Sequence, residues 1–545
     1  MTRVPPDSLE SLEPSELIGL VRRLIGDVEQ LHKSTDKLTA TVAGLRLENQ
    51  QLKDEIRRLK RLPPRPPFAP SGMDEATDRT MTEEGKPISL PPRRRGPGVS
   101  KLRVDRTVTL TASPPPGSHR RGYEEIIVQD VVFAPQTTLY RRERWQTPQG
   151  GMVLAELPSG IIGGCGPHLH RLVLMLHFQG QMTCERIVML LTGAGVAISK
   201  RQVVRLLTAE LEAFRAEDEA VFHAGLRGSP YITVDDTGAR HAGKAGYTTQ
   251  FGSDRFTTFR TGPSKSRLAF LRNLLGGAAR YAINSAALAY MRTAHLAQGV
   301  IDALASAAVR QFAAEADWQA HLSALGISAL KVAPNPERVA SEAALWGAIH
   351  AEGRLADCVI VSDDAGQFRV GDHALCWVHA ERLVHKLIPA NNRQRNAVEN
   401  AKRMIWWFYR ALKEYKLAPS AEQAQLLRAR FDRIFKRAST GYVTLDRLLR
   451  RLFRNKEGLL RVLERPEIPI NTNASENDIR AFVTKRKISG GTVSEKGRDA
   501  RDIMLGLAKT CMKLKLSFYE FVGDRLGVKG PKIPPLASLI RPAPA

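Results

Sequence analysis

The sequence predicts an α/β protein, and three observations carry that prediction. Two β-branched, apolar runs, YITVDD (231–236) and DCVIVSDD (357–364), each end in a pair of aspartates. Long stretches with helical spacing of apolar residues, 269–355 and 382–462, separate and follow those runs. Ahead of both, leucine recurs at every seventh position from Leu17 through Leu24, Leu31, Leu38, Leu45 and Leu52 to Leu59, which adds a coiled coil to the α/β part.

The balance of charge narrows the function. Lys and Arg number 81 against 56 Asp and Glu, a formal net charge of +25 on 545 residues. Such an excess favours a polyanion, nucleic acid before an anionic membrane. No apolar run is long enough to span a bilayer and no signal-peptide core follows Met1, so the expected location is cytoplasmic, with the nucleoid. An apolar content of 43% allows a normally buried interior, which excludes a chain disordered throughout. The five cysteines (165, 184, 358, 376, 511) are scattered without a C-x-x-C, so neither a zinc site nor a disulfide framework is expected.

The elements follow in order. With the leucines at d, the a positions are Val21, Val28, Thr35, Val42, Asn49 and Ile56. This pattern favours a parallel two-stranded coiled coil over 15–62, and hence a homodimer. Pro63 and Pro64 end it, and a Pro- and Arg-rich linker is expected over 63–118. Residues 119–165, with EEIIVQDVVF and GMVLAEL, read as a small β-rich module. Residues 166–228 read as helical, with a helix, Gly-containing turn and helix at 183–207. There Ser199 and Gln202 form a capping box, and Lys200, Arg201, Gln202 and Arg205 are candidate DNA contacts at a helix-turn-helix; an ordinary helical hairpin with a solvated basic face is the other reading. YITVDD, GYTTQFGS (246–253) and RFTTFRT (255–261) read as three strands of a meander. Helical insertions are expected at 269–355 and 391–464, and a frayed tail at 527–545.

Asp235 and Asp363 occupy the same relative place in the two apolar runs. If those strands are neighbours, the carboxylates converge. A third, Glu476, begins a helix after a polar loop. Each alone has a structural explanation, as a turn former or a first-turn acid. Together they would repel unless neutralised, and a hard cation with oxygen ligands does this best. Two such ions, Mg²⁺ or Mn²⁺, about 3.5–4 Å apart can activate a hydroxyl and stabilise the leaving oxygen of a phosphodiester. Alternation along YITVDD does not choose between Asp235 and Asp236, because a central strand can be buried on both faces.

The D-D-T triplet at 235–237, S-D-D-A-G-Q-F at 362–368, C-W-V-H at 376–379 and N-A-S-E-N-D-I-R at 473–480, followed by K-R-K at 485–487, resemble the insertion sequence 66 family of DDE transposases. The resemblance is best over 230–265 and 355–525. It implies a ribonuclease-H-like catalytic core assembled from 229–268, 356–390 and 465–526. It also implies that Asp235, Asp363 and Glu476 are the catalytic, metal-holding residues, with Asp236, Asp364 and Asn473 as their neighbours in the motifs. Arg480, Lys485, Arg486 and Lys487 would be phosphate contacts, a solvated charge run being the default. Cys376, Trp377 and His379 match a motif whose role is open: Trp377 suits a helix packed on the core, and His379 could touch a phosphate or order the second aspartate. The zinc knuckle common in the family is absent, and the spacing from Asp235 to Asp363 exceeds the family pattern. The activity implied is nicking at element ends and strand transfer to target DNA, with accessory proteins of the same element as further partners. A non-catalytic coiled-coil DNA-binding regulator and a nuclease without strand transfer remain alternatives.

Overall fold

A computed structural model describes residues 123–540 apart from 278, 437 and 438, together with 104–113, 115–116, 119 and scattered positions between 26 and 41. The heptad seam therefore falls almost wholly outside the described residues, as does most of the linker; the positions described between 26 and 41 are helical. The chain divides into two units, one built around Val378–Ala411 and Ala421–Arg454, the other around Asp78–Trp377, Leu412–Ser420 and Asn455–Ala545.

The second unit opens with a short antiparallel ribbon, β1 (Arg144–Gln146) and β2 (Met152–Leu154). Helices α1 (Pro167–Leu174), α2 (Cys184–Gly193), α3 (Lys200–Thr208) and α4 (Leu211–Gly228) follow. Strands β3 (Tyr231–His241), β4 (Lys244–Gly252) and β5 (Thr257–Gly262) come next. An insertion of α5 (Arg267–Leu274), β6 (Tyr281–Ala282), α6 (Ser285–Thr293), α7 (Gln298–Ser306), β7 (Gln311–Phe312), α8 (Glu315–Ala324) and α9 (Pro336–Ala351) leads to β8 (Val359–Ser362) and β9 (His373–Leu375). Helices α10 (Trp377–His385), α11 (Asn392–Leu417), α12 (Ala421–Phe435) and α13 (Val443–Arg454) make up most of the first unit. The chain returns to the second unit with α14 (Asn473–Ser489), α15 (Glu495–Lys513), α16 (Phe518–Arg525) and α17 (Leu536–Ile540).

The sheet of the second unit has five strands in the order β5-β4-β3-β8-β9. β5, β4 and β3 are antiparallel, whereas β3, β8 and β9 run parallel. Crossing from β3 to a parallel neighbour requires a long connection, and the helical insertion is part of it. The β3–β4 hairpin closes on Ala242 and Gly243, at φ 48° and 77°. That left-handed pair matches the twist of the flanking strands.

Each sheet face has its own cover. Residues alternate between faces along a strand and keep the same face across a paired register. Val234 therefore shares a face with its partner Phe251. Phe251 meets Phe222 of α4 and Phe270 of α5, with ring centroids 5.2 and 5.6 Å apart, and Phe270 meets Phe368 at 5.1 Å. On the other face Thr257 and Phe259 lie beneath α14: Thr257 Oγ1 donates to Asp478 at 2.7 Å, and the Phe259 and Phe482 rings are 5.4 Å apart. In the first unit α13 buries Leu445, Leu449 and Leu452, a helical stripe, and Phe431 of α12 packs on Phe408 at 5.7 Å.

Two expectations change. EEIIVQDVVF carries no strand: residues 123–143 have no regular structure and are exposed, so the β-rich module reduces to the β1–β2 ribbon. A strand needs a partner to bond with, and β-branched composition cannot supply one. Nor does β3 stop at its aspartates. It continues to His241 because Thr237–His241 pair with Lys244–Thr248. The region expected as a separate helical unit over 166–228 also contributes α4 directly to the sheet's cover.

Candidate functional site

Asp235 and Asp236 lie mid-strand, at the point where β3 loses its parallel neighbour. Tyr231, Ile232 and Thr233 pair with Val359, Ile360 and Val361, after which β8 ends at Ser362. The two strands are thus neighbours, the condition under which their carboxylates would converge, and continuing the same offset brings Asp235 level with Asp363. Past Ser362 the chain turns, and Asp363 accepts the Ala365 backbone N–H at 3.0 Å.

The aspartates of each pair differ in what holds them. Asp364 forms an ion pair with Arg369 and accepts from Asn455 Nδ2 at 3.0 Å, a structural commitment. Asp236 accepts from Gln367 Nε2 at 2.7 Å. Burial raises its pKa; the Gln367 hydrogen bond and the Lys265 charge oppose the rise, and the Asp363 charge adds to it. Asp236 shares its face with Val234 and the aromatic cluster. Asp235 shares the opposite face with its register partner Gln250, and through Gln250 with Phe259. That is the face covered by α14, the helix carrying Glu476.

Asp478 fixes the start of α14. Its carboxylate accepts from Thr257 Oγ1 and from Lys513 Nζ, each at 2.7 Å, and Lys513 also donates to the Ser253 and Phe256 carbonyls. At the far end Thr492 is tied to the β3–β4 hairpin through Arg240 and Ala242. The helix thus runs along β3, with Glu476 in its first turn at the Thr233–Asp235 end. The Glu476 side chain is only 14% exposed and lies 3.5 Å from Arg480, which also donates to Asn477 Oδ1 at 3.0 Å. Asn473 N–H is held by Asn471 Oδ1 at 3.1 Å.

Among the described residues, no three His, Cys, Asp or Glu side chains are set as a group to hold a metal ion. The donor chemistry nonetheless suits a hard cation: Asp235 and Glu476 bring carboxylate oxygens to one face, and Asp363 stands at the register position beside Asp235. Two buried polar groups on this face also lack partners. Gln250 and Ser475 are both 0% exposed, and neither the Gln250 carboxamide nor the Ser475 hydroxyl has a hydrogen-bond partner.

The basic candidates divide. Lys200, Arg201 and Arg205 are exposed on α3, and Lys200 pairs with Glu185 of α2 at 2.5 Å. Gln202 completes the capping box, its carbonyl oxygen accepting from the Ser199 N–H at 2.8 Å and hydroxyl at 2.9 Å. On α14, Lys487 is exposed and Arg486 partly so. Lys485 is a correction. It is 2% exposed, and its ammonium donates to the carbonyls of His177 and Met182 at 2.7 and 3.0 Å. Burial lowers its pKa to about 8, and its role here is to tie α14 to the turn after α1. Beside it, burial and the Lys485 charge lower the His177 pKa to about 3.

Cys376 and Trp377 are buried at the end of β9. The Cys376 N–H donates to Ser362 O at 2.9 Å, and Trp377 Nε1 donates to Leu459 O at 2.8 Å, so the tryptophan serves packing. His379 Nε2 lies 3.4 Å from Arg382. Sequence patterns missed Gln250, Gln367 and Asp478. Gln367 lies inside the S-D-D-A-G-Q-F motif and Asp478 inside the N-A-S-E-N-D-I-R motif, whereas Gln250 left no signal.

Comparison with known proteins adds two findings. Residues 350–500 match the model of the family described as Transposase IS66 family. A protein of Sinorhizobium fredii, "Uncharacterized protein y4jO", is 53% identical over 320 residues, covering 59% of this chain and 99% of that protein.

Proposed function

Because this chain belongs to the IS66 family of transposases, we propose that it binds the ends of its insertion sequence, nicks the DNA there and joins the freed 3′-hydroxyl to target DNA. The observation that carries the reading is the parallel β3–β8 pairing, Thr233 opposite Val361, whose offset if continued would bring Asp235 level with Asp363, on a sheet whose β3 is covered by the Glu476 helix. The strand order, with three antiparallel strands followed by two parallel ones, supports a ribonuclease-H-like catalytic core.

Asp235, Asp363 and Glu476 would hold Mg²⁺ or Mn²⁺, two ions in the complete site. When bound, such ions lower the pKa of the attacking hydroxyl and neutralise charge on the leaving oxygen. The remaining work falls to the chain. Asp478 and Lys513 hold the first turn of α14 against β5, which keeps Glu476 over the sheet. Gln367 engages Asp236, which strand alternation places on the opposite face, and Arg369 with Asn455 engages Asp364. Lys200, Arg201 and Arg205 on α3, with Arg480, Arg486 and Lys487 on α14, would contact phosphates, positioning the duplex without reading its sequence. Dimerisation through 15–62 fits an element with two ends to hold together, and proteins of the same element would assist. The protein would act at the nucleoid; no described helix is long and apolar enough to cross a membrane.

The test is purified protein with Mg²⁺ and duplexes carrying the inverted repeats that flank its gene. Strand-transfer products are expected. Binding without cleavage would make the chain a regulator, and hydrolysis without joining would make it a nuclease.

A further inference from the structure

We propose that Gln250, assisted by Ser475, is a positioning residue for the carboxylate site, holding Asp235 and a water of the bound divalent cation in place. The proposal rests on the reading above, in which Asp235 is a metal ligand.

Three observations converge. First, Gln250 is the β4 residue directly opposite Asp235, and paired residues project from the same face. Second, both atoms of its carboxamide are enclosed and without a hydrogen-bond partner, although the side chain is 0% exposed. Ser475, beside Glu476 on α14, is in the same condition. It belongs to the helix stripe of Ser475, Asp478 and Phe482, whose last two members touch Thr257 and Phe259 on the Gln250 face. Third, the backbone makes room for the carboxamide. A Cβ on Gly252 would stand 2.6 Å from Gln250 Nε2 and 2.6 Å from Phe256 O, so only glycine leaves that space.

A buried amide with neither atom satisfied costs stability, and an apolar side chain of similar size would remove the cost. A bound cation supplies what the site lacks. Carboxylates that ligate a metal are oriented by hydrogen bonds from an outer layer of residues. Asp235 Oδ1 already accepts the Asp236 N–H at 2.8 Å; the Gln250 NH₂ could donate to a remaining lone pair of that carboxylate, while its carbonyl and the Ser475 hydroxyl could accept from a water of the bound cation. No bond is made or broken at either residue.

The test compares the full chain with Gln250→Met, Ser475→Ala and Asp235→Asn. It measures Mn²⁺ affinity by titration calorimetry and melting temperature with and without Mn²⁺. Wild type should bind Mn²⁺ and Asp235→Asn should lose it. Gln250→Met should bind about tenfold or more weakly, with a metal-free melting temperature equal to or above wild type and a smaller rise on adding Mn²⁺. Ser475→Ala should weaken binding in the same direction by less, and it carries the test if Gln250→Met does not fold. If Asp235→Asn abolishes binding while Gln250→Met and Ser475→Ala bind as wild type does, the two groups serve only structural water, and the inference falls while the carboxylate reading stands. If wild type binds no Mn²⁺, or Asp235→Asn binds it unchanged, the carboxylate reading falls and takes the inference with it.

Discussion

The two faces of the five-stranded sheet solve the same burial problem differently. Under α4 and α5 the face is an aromatic cluster, Phe222, Phe251, Phe270 and Phe368, and its buried charge is paired. Arg260 lies 2.7 Å from Asp218 and 3.0 Å from Glu219, over the ring of Phe222. Burial still raises the Asp218 pKa to about 6 against the pull of Arg260. Under α14 the face carries Asp235, the unpartnered Gln250 and the first turn holding Glu476 and Ser475. Both faces enclose polar atoms without partners, Asp218 Oδ1 and Thr258 Oγ1 on the first and the Gln250 carboxamide and Ser475 hydroxyl on the second; on the second, both atoms of one carboxamide are unpartnered opposite Asp235. Stability should therefore reside on the first face and function on the second.

Substitutions can break that division. The largest effect is expected from Asp235→Ala, Asp363→Ala or Glu476→Ala. Each should lower DNA cleavage by roughly 10³-fold or more, by analogy with removal of a single preorganised charge-stabilising group, while circular dichroism and melting temperature stay near wild type. A fall in cleavage matched by a fall in melting temperature would show that the two faces are not separable. Phe251→Ala should do the reverse, destabilising the fold by about 3–5 kcal/mol through lost burial and a cavity, read by denaturant titration. Asp218→Asn should cost about 3 kcal/mol, because it leaves most of the Arg260 charge uncompensated in the interior.

Lys485 gives a pH-dependent test of the same division. Its folded pKa of about 8 lies below the unfolded value of about 10.4. Between those values the unfolded chain holds the proton and the folded chain does not, so this lysine makes stability rise with pH over that window. Lys485→Met should flatten the rise, seen as a smaller gain in denaturation midpoint between pH 8 and about pH 10, without changing the salt dependence of DNA binding. The smallest effect is expected from Lys200→Ala, Arg201→Ala or Arg205→Ala. Each should weaken DNA binding uniformly across sequences and reduce the slope of log K against log salt by about 1.

The sequence made the strands legible where β-branched runs were bounded by turns, but left it open whether YITVDD and VIVSDD are neighbours, which the β3–β8 pairing shows. Strand alternation could not say which aspartate of each pair matters; only the motif resemblance pointed to Asp235 and Asp363. That depends on partners far along the chain: Gln367 for Asp236, Arg369 and Asn455 for Asp364. The K-R-K run at 485–487 hid a burial, since helical spacing turns one of three consecutive residues inward, and here it is Lys485. EEIIVQDVVF had the β-branched composition of a strand without a neighbour to pair with. Gln250 was illegible in principle: a glutamine in a strand looks like surface until the helix that covers it is known.

The central claim is that Asp235, Asp363 and Glu476 form one divalent-cation site at the place where β8 leaves β3. The most direct measurement is a crystal of the full chain soaked in Mn²⁺, with anomalous diffraction recorded at the manganese edge. A peak bounded by carboxylate oxygens of all three residues at about 2.0–2.3 Å is expected. A well-ordered site with no peak there, or a peak held instead by Asp236 or Asp364, would contradict it.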